Sequence, residues 1–442
     1  METKRRERSH ADSERTGRPA SAPPIGPTEP TATQPGLATE CRDFVQSALA
    51  DFPHRIRVTD WHGVRWEAGR GEPHWSGRAL DIRFHSEEPA RHLLRLDGMR
   101  FLEAFLEERV DLQGNLYVLA SLRRDARLNL KLRTLVGRVL RVLAFQNARR
   151  ARVSVKSHYD IPQEALNVYL DRVYMSYSCG MFEDPDDLDV QELRRPGIGE
   201  ADDFDSLEKA QWRKFRDAVD YVRPAPDESV LDVGCGYGGQ LLVALESHPV
   251  GKIVGWTHSA NQAREGRRLL ERFPEERWEL NEGDYREDRR VYDHVTSTGM
   301  ISHVGPRGLV PYVREVRRRI RSGGRYLHHA LMTRYTRLPI DMNVGIAFNK
   351  RYVWPGFHWF TVGEHVRALE KNGFQVEQVL SLTRHYAKTT AAWYERMMEQ
   401  RETMREFLDE ATLRAWQIFL AGITGSFLNR DVHVYRLYCV AT

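Results

Sequence analysis

The sequence predicts an α/β protein in which a helix-covered parallel sheet follows a smaller α+β domain. The apolar run 230–233 leads into a glycine-rich turn at 234–239 and then into helix-forming residues, the order expected of a Rossmann-like sheet. With 442 residues, the chain is long enough for two domains. Further strand candidates follow the turn, at 252–256, 293–297 and 325–331, and residues 425–427 with the alternating run 432–440 predict a late hairpin that closes the sheet.

Composition excludes several classes of protein. A net charge of +4 on 442 residues does not indicate a nucleic-acid partner. The four cysteines, Cys41, Cys179, Cys235 and Cys439, form no C-x-x-C pair, which argues against a metal site and favours a reduced, cytoplasmic setting. We expect no membrane-spanning helix and no secretory leader, since no run of eighteen apolar residues occurs and the N-terminus is charged.

The N-terminal third divides into two parts. Residues 1–38 are rich in proline and charge, which predicts a disordered tail. Residues 39–127 predict a small α+β domain, because 56–59 and 80–84 alternate like half-buried strands and 99–107 carries an apolar helical stripe.

Residues 128–157 predict one basic amphipathic linker helix. Apolar residues recur at helical spacing from Leu132 to Leu143, and seven Arg and Lys residues between 133 and 156 flank them. Two interpretations stay open, and both can hold at once. In the first, the helix packs on the core with solvated arginines; in the second, it is attracted to anionic lipid head groups.

The glycine turn is the first candidate binding element. Gly234, Gly236 and Gly238 follow Asp232 in a D-x-G-x-G-x-G pattern, which lets a backbone approach a ligand beside the N–H groups of the next helix. A turn that merely closes a strand–helix corner is the alternative. The pattern resembles motif I of the S-adenosylmethionine (SAM) methyltransferases, in which this turn holds the amino-acid end of SAM.

Two further segments extend the resemblance. His158-Tyr159-Asp160 and Tyr177-Ser178-Cys179-Gly180-Met181-Phe182 precede the turn in order. Together they resemble the cyclopropane-fatty-acid synthase and mycolic-acid methyltransferase family over roughly residues 150–442. The resemblance implies a seven-stranded SAM methyltransferase domain at 158–442, and it makes the 39–127 domain a candidate lipid-binding domain.

The resemblance also implies a set of cofactor-binding residues. Most methyltransferases end the second strand with an acid, whereas here Thr257 and Gln262 stand in a T-x-S-x-x-Q pattern whose hydroxyl and amide can bond the ribose. Tyr285 and Arg286 match the adenine loop. The full set is Tyr177, Ser178, Asp232, Gly234, Gly236, Gly238, Thr257, Gln262, Tyr285 and Arg286.

In this family a bicarbonate ion is held as the catalytic base by five positions. Carried over, they fall on Cys179, Ser302, His329, Leu331 and Tyr386. Ser302 departs from the family, which has a glutamate there, and serine cannot orient the ion as a carboxylate would. On strand alternation, we expect His329 to face the cofactor and His328 to face away.

Three outcomes of the Ser302 departure stay open. Bicarbonate still binds through His329 and Tyr386, or His303 or His328 takes the proton. Alternatively, the cation collapses to a methyl-branched, methylene or methyl-diene chain. Lastly, the chain is a paralogue with little activity.

The expected activity is SAM-dependent C-methylation of a double bond in an unsaturated phospholipid acyl chain. The resulting carbocation needs an apolar, aromatic channel, for which the candidates are Phe348, Tyr352, Trp354, Phe357, Trp359 and Phe360, half of them expected in the core. We expect a peripheral membrane association and a homo-oligomer. The alternatives are a small-molecule N- or C-methyltransferase and a non-catalytic protein that binds SAM or lipid.

Overall fold

The computed structural model describes residues 36–71, 76–122, 161–197, 204–335, 343–354 and 357–442. Helix α1 (Leu37–Ala48) begins inside the stretch predicted as a tail. The remainder of that tail, the predicted basic helix at 128–157 and the motif at 158–160 lie outside the described residues.

A four-stranded sheet opens the described chain. Its strands are β1 (Ile56–Thr59), β2 (Arg65–Ala68), β3 (Leu80–Phe84) and β4 (Val110–Gly114), in the order β2-β1-β3-β4. Two more helices, α2 (Glu87–Leu94) and α3 (Gly98–Leu106), lie between β3 and β4. The side chain of Asp97 caps α3 by accepting from the backbone N–H of Arg100. The strands and helix predicted in this part are confirmed.

The larger sheet has seven strands in the order β10-β11-β9-β8-β5-β6-β7. Five of them, β9, β8, β5, β6 and β7, are parallel, and β11 runs antiparallel to both β9 and β10. This confirms the predicted α/β class with a seven-stranded sheet. The strands are β5 (Ser229–Val233), β6 (Lys252–Thr257), β7 (Trp278–Glu282), β8 (His294–Thr298), β9 (Arg325–Thr333), β10 (Phe374–Ser381) and β11 (Val432–Ala441).

Helices connect the strands and cover the sheet. Two of them, for example, begin with side-chain caps: Ser206 accepts from the backbone N–H of Lys209 before Leu207–Val222, and Thr361 and Glu364 form a capping box before Val362–Glu370. In chain order they are α4 (Gln163–Tyr169), α5 (Val190–Arg194), α6 (Leu207–Val222), α7 (Gly239–Ser247), α8 (Ala260–Leu270), α9 (Leu309–Arg318), α10 (Asn343–Tyr352), α11 (Val362–Glu370), α12 (Thr383–Glu399), α13 (Arg401–Arg405) and α14 (Glu410–Leu428).

One local prediction was wrong. Residues 425–427 were expected in a hairpin with the last strand, but they form the end of α14. A Cβ on Gly425 would lie 2.3 Å from the carbonyl oxygen of Tyr117. The glycine therefore permits close helix packing and does not mark a turn.

Helices α12 and α14 join the two sheets. They pack on each other, and α14 also contacts α3 and the 3-10 turn Leu116–Ala120. One apolar core runs from Cys41 to Val434, and residues 37–442 form one compact unit. No helix among the described residues combines the length and the apolar character needed to cross a bilayer.

Candidate active site

A cavity of about 1260 Å³ lies at the carboxyl ends of β5, β6, β8 and β9, the usual ligand site of an open α/β sheet. All of the predicted site residues except Gly238 line it. Gly238 instead precedes α7 with a φ of +80°, where a Cβ would meet the Leu280 side chain at 3.0 Å. Its role is to let the turn pack against β7.

The glycine turn borders open space in the cavity. Gly234 and Gly236 have φ values of +80° and +56°, in the left-handed region that favours glycine. A Cβ on Gly234 would meet the Met300 side chain at 3.0 Å, whereas one on Gly236 would meet nothing within 4 Å. A side chain at 236 would therefore extend into open space at the wall of the cavity.

Asp232 is the penultimate residue of β5 and precedes this turn. It is buried, and its Oδ1 accepts a hydrogen bond from Thr296 Oγ1 at 2.8 Å. Burial raises the pKa of Asp232 to about 7, although the Thr296 bond and the Lys214 charge act in the opposite direction. The carboxyl group therefore titrates near neutral pH.

The polar pair predicted at the end of β6 is in place. Thr257 Oγ1 donates to Gln262 Oε1 at 2.7 Å, and Ser259 caps α8 by accepting from the backbone N–H of Gln262. Both residues of the pair line the cavity and are neutral. They can exchange hydrogen bonds with hydroxyl groups without a buried charge.

Aromatic side chains line another part of the cavity. Tyr285 is buried, and Arg286 is held by Asp284, which accepts from Arg286 Nε at 2.9 Å. Trp256 also lines the cavity, and its Nε1 donates to Asp288 at 3.2 Å. Sequence reasoning missed Trp256 and Asp284, although both adjoin predicted site residues.

The five residues predicted as catalytic, here called the His329 group, all line the same cavity: Cys179, Ser302, His329, Leu331 and Tyr386. Ser302 Oγ is buried without a hydrogen-bond partner among the described residues. Burial raises the pKa of the Cys179 thiol to about 12, which excludes a thiolate at neutral pH. Burial also raises the pKa of Tyr386, so both groups stay protonated.

The two adjacent histidines of β9 face opposite sides of the sheet, as predicted. His329 lines the cavity. His328 is bonded through Nδ1 to Tyr326 OH and through Nε2 to His365 Nδ1, each at 2.9 Å. His328 is therefore unavailable as an alternative base. The side chain of His303, the other alternative, lies outside the described residues.

The apolar end of the cavity is formed by Leu166, Leu170, Leu331, Trp354 and Trp416. Of the six aromatic residues predicted for the channel, all of them described, Trp354 alone lines the cavity. Phe348 is core, and Tyr352 OH donates to Glu103 at 3.0 Å. The helix α10 thus packs against α3 and α14.

Trp416 was missed because it belongs to no quoted motif. It lies on α14, 177 residues or more after the glycine turn, and only the packing of α12 on α14 brings it to the cavity. Tyr177 contacts both tryptophans of the apolar end: its ring centroid lies 5.3 Å from that of Trp354 and 6.4 Å from that of Trp416. Among the described residues, no group of three His, Cys, Asp or Glu side chains is placed to hold a metal ion.

Comparisons with known proteins agree with this geometry. The family model for mycolic acid cyclopropane synthetase matches residues 146–437. A "Probable fatty acid methyltransferase" of Pseudomonas putida is 29% identical over 292 residues, covering 65% of this chain and 68% of that protein. The "Cyclopropane-fatty-acyl-phospholipid synthase" of Escherichia coli K12 is 27% identical over 297 residues, covering 67% and 70%.

A solved structure shares the fold. The cyclopropane synthase MmaA2 from Mycobacterium tuberculosis superposes with a TM-score of 0.57 at 22% identity, covering 65% of this chain and 96% of that one. The family match spans well over half of the chain and includes the whole seven-stranded sheet except the last residues of β11. The chain therefore belongs to the mycolic acid cyclopropane synthetase family and is a SAM-dependent methyltransferase.

Proposed function

We propose that this protein transfers the methyl group of SAM to a double bond in an unsaturated acyl chain of a phospholipid. The observation that carries the proposal is one cavity with two chemically different ends. The glycine turn and the Thr257–Gln262 pair form a polar end, and the leucines and tryptophans form an apolar end. Its volume of about 1260 Å³ exceeds the roughly 300–1,000 Å³ of common single-ligand sites, which leaves room for an acyl chain.

The residues of the polar end fit SAM. Gly234 and Gly236 would admit its amino-acid end, Thr257 and Gln262 its ribose, and Tyr285 its adenine. The open space above Gly236 is the structural support for this assignment. When bound, SAM supplies an electrophilic methyl group on a sulfonium.

The apolar end performs two tasks for the acyl chain. Its leucines keep water away, because a carbocation formed beside the new carbon–carbon bond would otherwise react with it. The faces of Tyr177, Trp354 and Trp416 stabilise that positive charge. Loss of a proton from the transferred methyl closes a cyclopropane ring, and loss from a neighbouring chain carbon leaves a methyl-branched alkene. A hydride shift to the cationic carbon followed by loss of a methyl proton leaves a methylene group.

The His329 group fits a small oxyanion such as bicarbonate. Ser302 Oγ is an unsatisfied buried hydroxyl, and the Tyr386 hydroxyl stays protonated. Bicarbonate, when bound, supplies a proton acceptor. We infer that these residues hold the ion by donating hydrogen bonds, and that the missing carboxylate at position 302 changes which proton is lost.

We also infer that the protein works at the cytoplasmic surface of a membrane, since its proposed substrate is a bilayer lipid. The basic residues between 128 and 157 support this inference through their charge, because each adds about 1 kcal/mol of attraction to anionic lipid. Residues 39–127 are proposed to contribute to lipid binding, and a homo-oligomer is proposed from family likeness.

The test is incubation of the purified chain with methyl-labelled SAM and vesicles of unsaturated phospholipid, with fully saturated phospholipid as the matched control. We expect label in the acyl chains of the unsaturated lipid and none in the saturated lipid. Label that reaches neither lipid, although SAM binds, would refute the proposal and favour the non-catalytic alternative. Transfer of the label to a soluble acceptor, and not to lipid, would favour a small-molecule methyltransferase.

A further inference from the structure

The antiparallel pairing of β9 and β11 places Arg436 directly opposite His329. Residues at opposite positions of two paired strands share one face of the sheet, so their side chains are neighbours. Arg436 Nη2 lies 3.4 Å from His329 Nδ1, and both side chains are buried.

The chemistry of this contact decides the proton position on the ring. A guanidinium can only donate hydrogen bonds and stays protonated in proteins. Nδ1 of His329 must therefore be the acceptor, with its lone pair directed at Arg436. In a neutral imidazole the proton then sits on Nε2.

The surroundings oppose a second proton on this ring. Arg436 is fully buried, and it is anchored by Asp217 and by the carbonyl oxygen of Lys214, the latter at 3.2 Å. Burial, and then the charges of Arg436 and Lys214, keep the pKa of His329 well below its ordinary value.

Lys214 is a second basic group near His329, and burial lowers the pKa of its amine to about 7 against the opposing charge of Asp171. Within the described part of the chain its Nζ donates to neutral acceptors, which are Ser176 Oγ at 2.5 Å, Ser178 Oγ at 2.8 Å and Gln211 Oε1 at 2.6 Å. The other titratable groups around His329 are His328 on the far face of β9, the thiol of Cys179, the phenol of Tyr386 and the carboxyl of Asp232. Of these, only Asp232 brings a negative charge.

We propose that Arg436 is a positioning residue that holds His329 as the neutral Nε2–H tautomer, so that His329 donates a hydrogen bond into the cavity and does not act as the base. The tautomer follows from the contact with Arg436, whereas its consequence for catalysis rests on the proposed function. With Ser302 and Tyr386, His329 then forms a set of donors for a bound oxyanion, and the substrate proton leaves to that oxyanion.

Nuclear magnetic resonance on the chain labelled with ¹⁵N-histidine tests the tautomer without SAM or lipid. Long-range ¹H–¹⁵N spectra distinguish a protonated from an unprotonated ring nitrogen, and His329→Gln assigns the signal. We expect an unprotonated Nδ1 and a protonated Nε2 from about pH 6 to pH 8, the range over which an unperturbed histidine titrates. A protonated Nδ1, or an imidazolium, in the native chain would overturn the proposal.

Two variants separate tautomer control from simple packing. Arg436→Gln keeps a donor toward Nδ1 and should retain the tautomer, whereas Arg436→Met fills similar space without a donor and should yield a mixture. Arg325→Met, at the other end of β9, is the matched control and should leave the spectrum unchanged. An unchanged His329 spectrum in Arg436→Met would contradict the proposal. If that variant fails to fold, the native and Arg436→Gln spectra decide. A chain that transfers no methyl group can still show the predicted tautomer, so the two proposals fail separately.

Discussion

The ring of Tyr177 is stacked on the ring of Trp393, with centroids 4.8 Å apart and planes inclined by 9°. Tyr177 lines the cavity, whereas Trp393 is buried behind it on α12. The same helix carries Tyr386, two turns earlier, whose ring meets that of Trp393 edge-on at 5.9 Å. One buried indole thus supports both the loop at 177–179 and the His329 group.

Replacing this indole is expected to damage stability and ligand binding together. Trp393→Leu should lower the free energy of unfolding by about 3 kcal/mol, because it leaves a cavity in the core. Binding of S-adenosylhomocysteine, measured by titration calorimetry, should weaken as Tyr177 loses its support. Trp212→Leu, which changes a tryptophan 41% exposed on α6, should alter the free energy of unfolding by less than about 0.5 kcal/mol. Equal losses in both variants would contradict the account.

Gly236 in the glycine turn can be compared with Gly323, which lies outside the turn and also has a positive φ. Gly236 and Gly323 have φ values of +56° and +79°, and at both a Cβ would meet nothing within 4 Å. Each change to Ala should cost roughly 1–2 kcal/mol in urea unfolding, through backbone strain alone. S-adenosylhomocysteine affinity should fall at least about tenfold, or about 1.4 kcal/mol, in Gly236→Ala and stay unchanged in Gly323→Ala. Unimpaired binding in Gly236→Ala would remove the turn from the ligand site.

Ser302 is expected to control the fate of the cation. Ser302→Glu restores the carboxylate of the family pattern in the cavity that His329 also lines. Mass spectrometry of the labelled lipids should show more cyclopropane relative to methyl- or methylene-modified alkene. Ser302→Ala, which removes the unsatisfied hydroxyl, is the matched control. If rate and product ratio are the same in native chain and Ser302→Glu, position 302 does not control the cation.

The raised pKa of Asp232 predicts that the free energy of unfolding depends on pH. Its folded-state pKa of about 7, raised by burial, exceeds the unfolded value of about 3.9, so folding takes up a proton between these values. The stabilisation from that proton is complete below about pH 4 and is lost as the pH rises through 7, by at most about 1.4 kcal/mol per pH unit. As the pH rises from 5 to 8, the free energy of unfolding of Asp232→Asn should therefore increase relative to that of the native chain, as measured by urea unfolding. Parallel curves for the two proteins would show that Asp232 keeps its ordinary pKa.

Glu395 connects the N-terminal sheet region to α12. Its buried carboxylate accepts from Arg78 Nη2 at 2.5 Å, Tyr117 OH at 2.8 Å and Arg194 Nη2 at 3.1 Å. Glu395→Gln removes the carboxylate that Arg78 pairs with and leaves Arg194 only the exposed Glu399, and it should lower the free energy of unfolding by about 3 kcal/mol. Glu399→Gln removes the exposed partner of Arg194 and should cost less than about 1 kcal/mol. A small effect at Glu395 would show that the cluster does not stabilise the junction.

The elements near the glycine turn were predictable because local chemistry determines them. The strand–turn–helix order at 229–247 and the alternation that separates His328 from His329 both follow from backbone periodicity. Most of the polar end of the cavity was predictable from the family resemblance, which assigned Thr257, Gln262 and Tyr285 to loops that follow the ends of successive strands.

Trp354 in the apolar end was predicted, whereas Trp416 in the same end and Arg436 beside His329 were not predictable from the sequence. Trp416 reaches the cavity through packing of α14, and Arg436 meets His329 through strand pairing across 107 residues. The aromatic run at 348–360 misled the prediction, because apolar periodicity does not show whether a ring faces a cavity or a neighbouring helix. Phe348 is buried in the core, and Tyr352 donates to Glu103 of α3.

The central claim is that the donor lies in the bend after β5 while an acyl chain occupies the apolar end of the same cavity. The most direct measurement is a crystal structure of the chain with S-adenosylhomocysteine and an unsaturated phospholipid. The account predicts the homocysteine portion against Gly234 and Gly236, with its sulfur directed at acyl density between Tyr177, Trp354 and Trp416. Nucleoside density away from that bend, or acyl density outside this cavity, would contradict it.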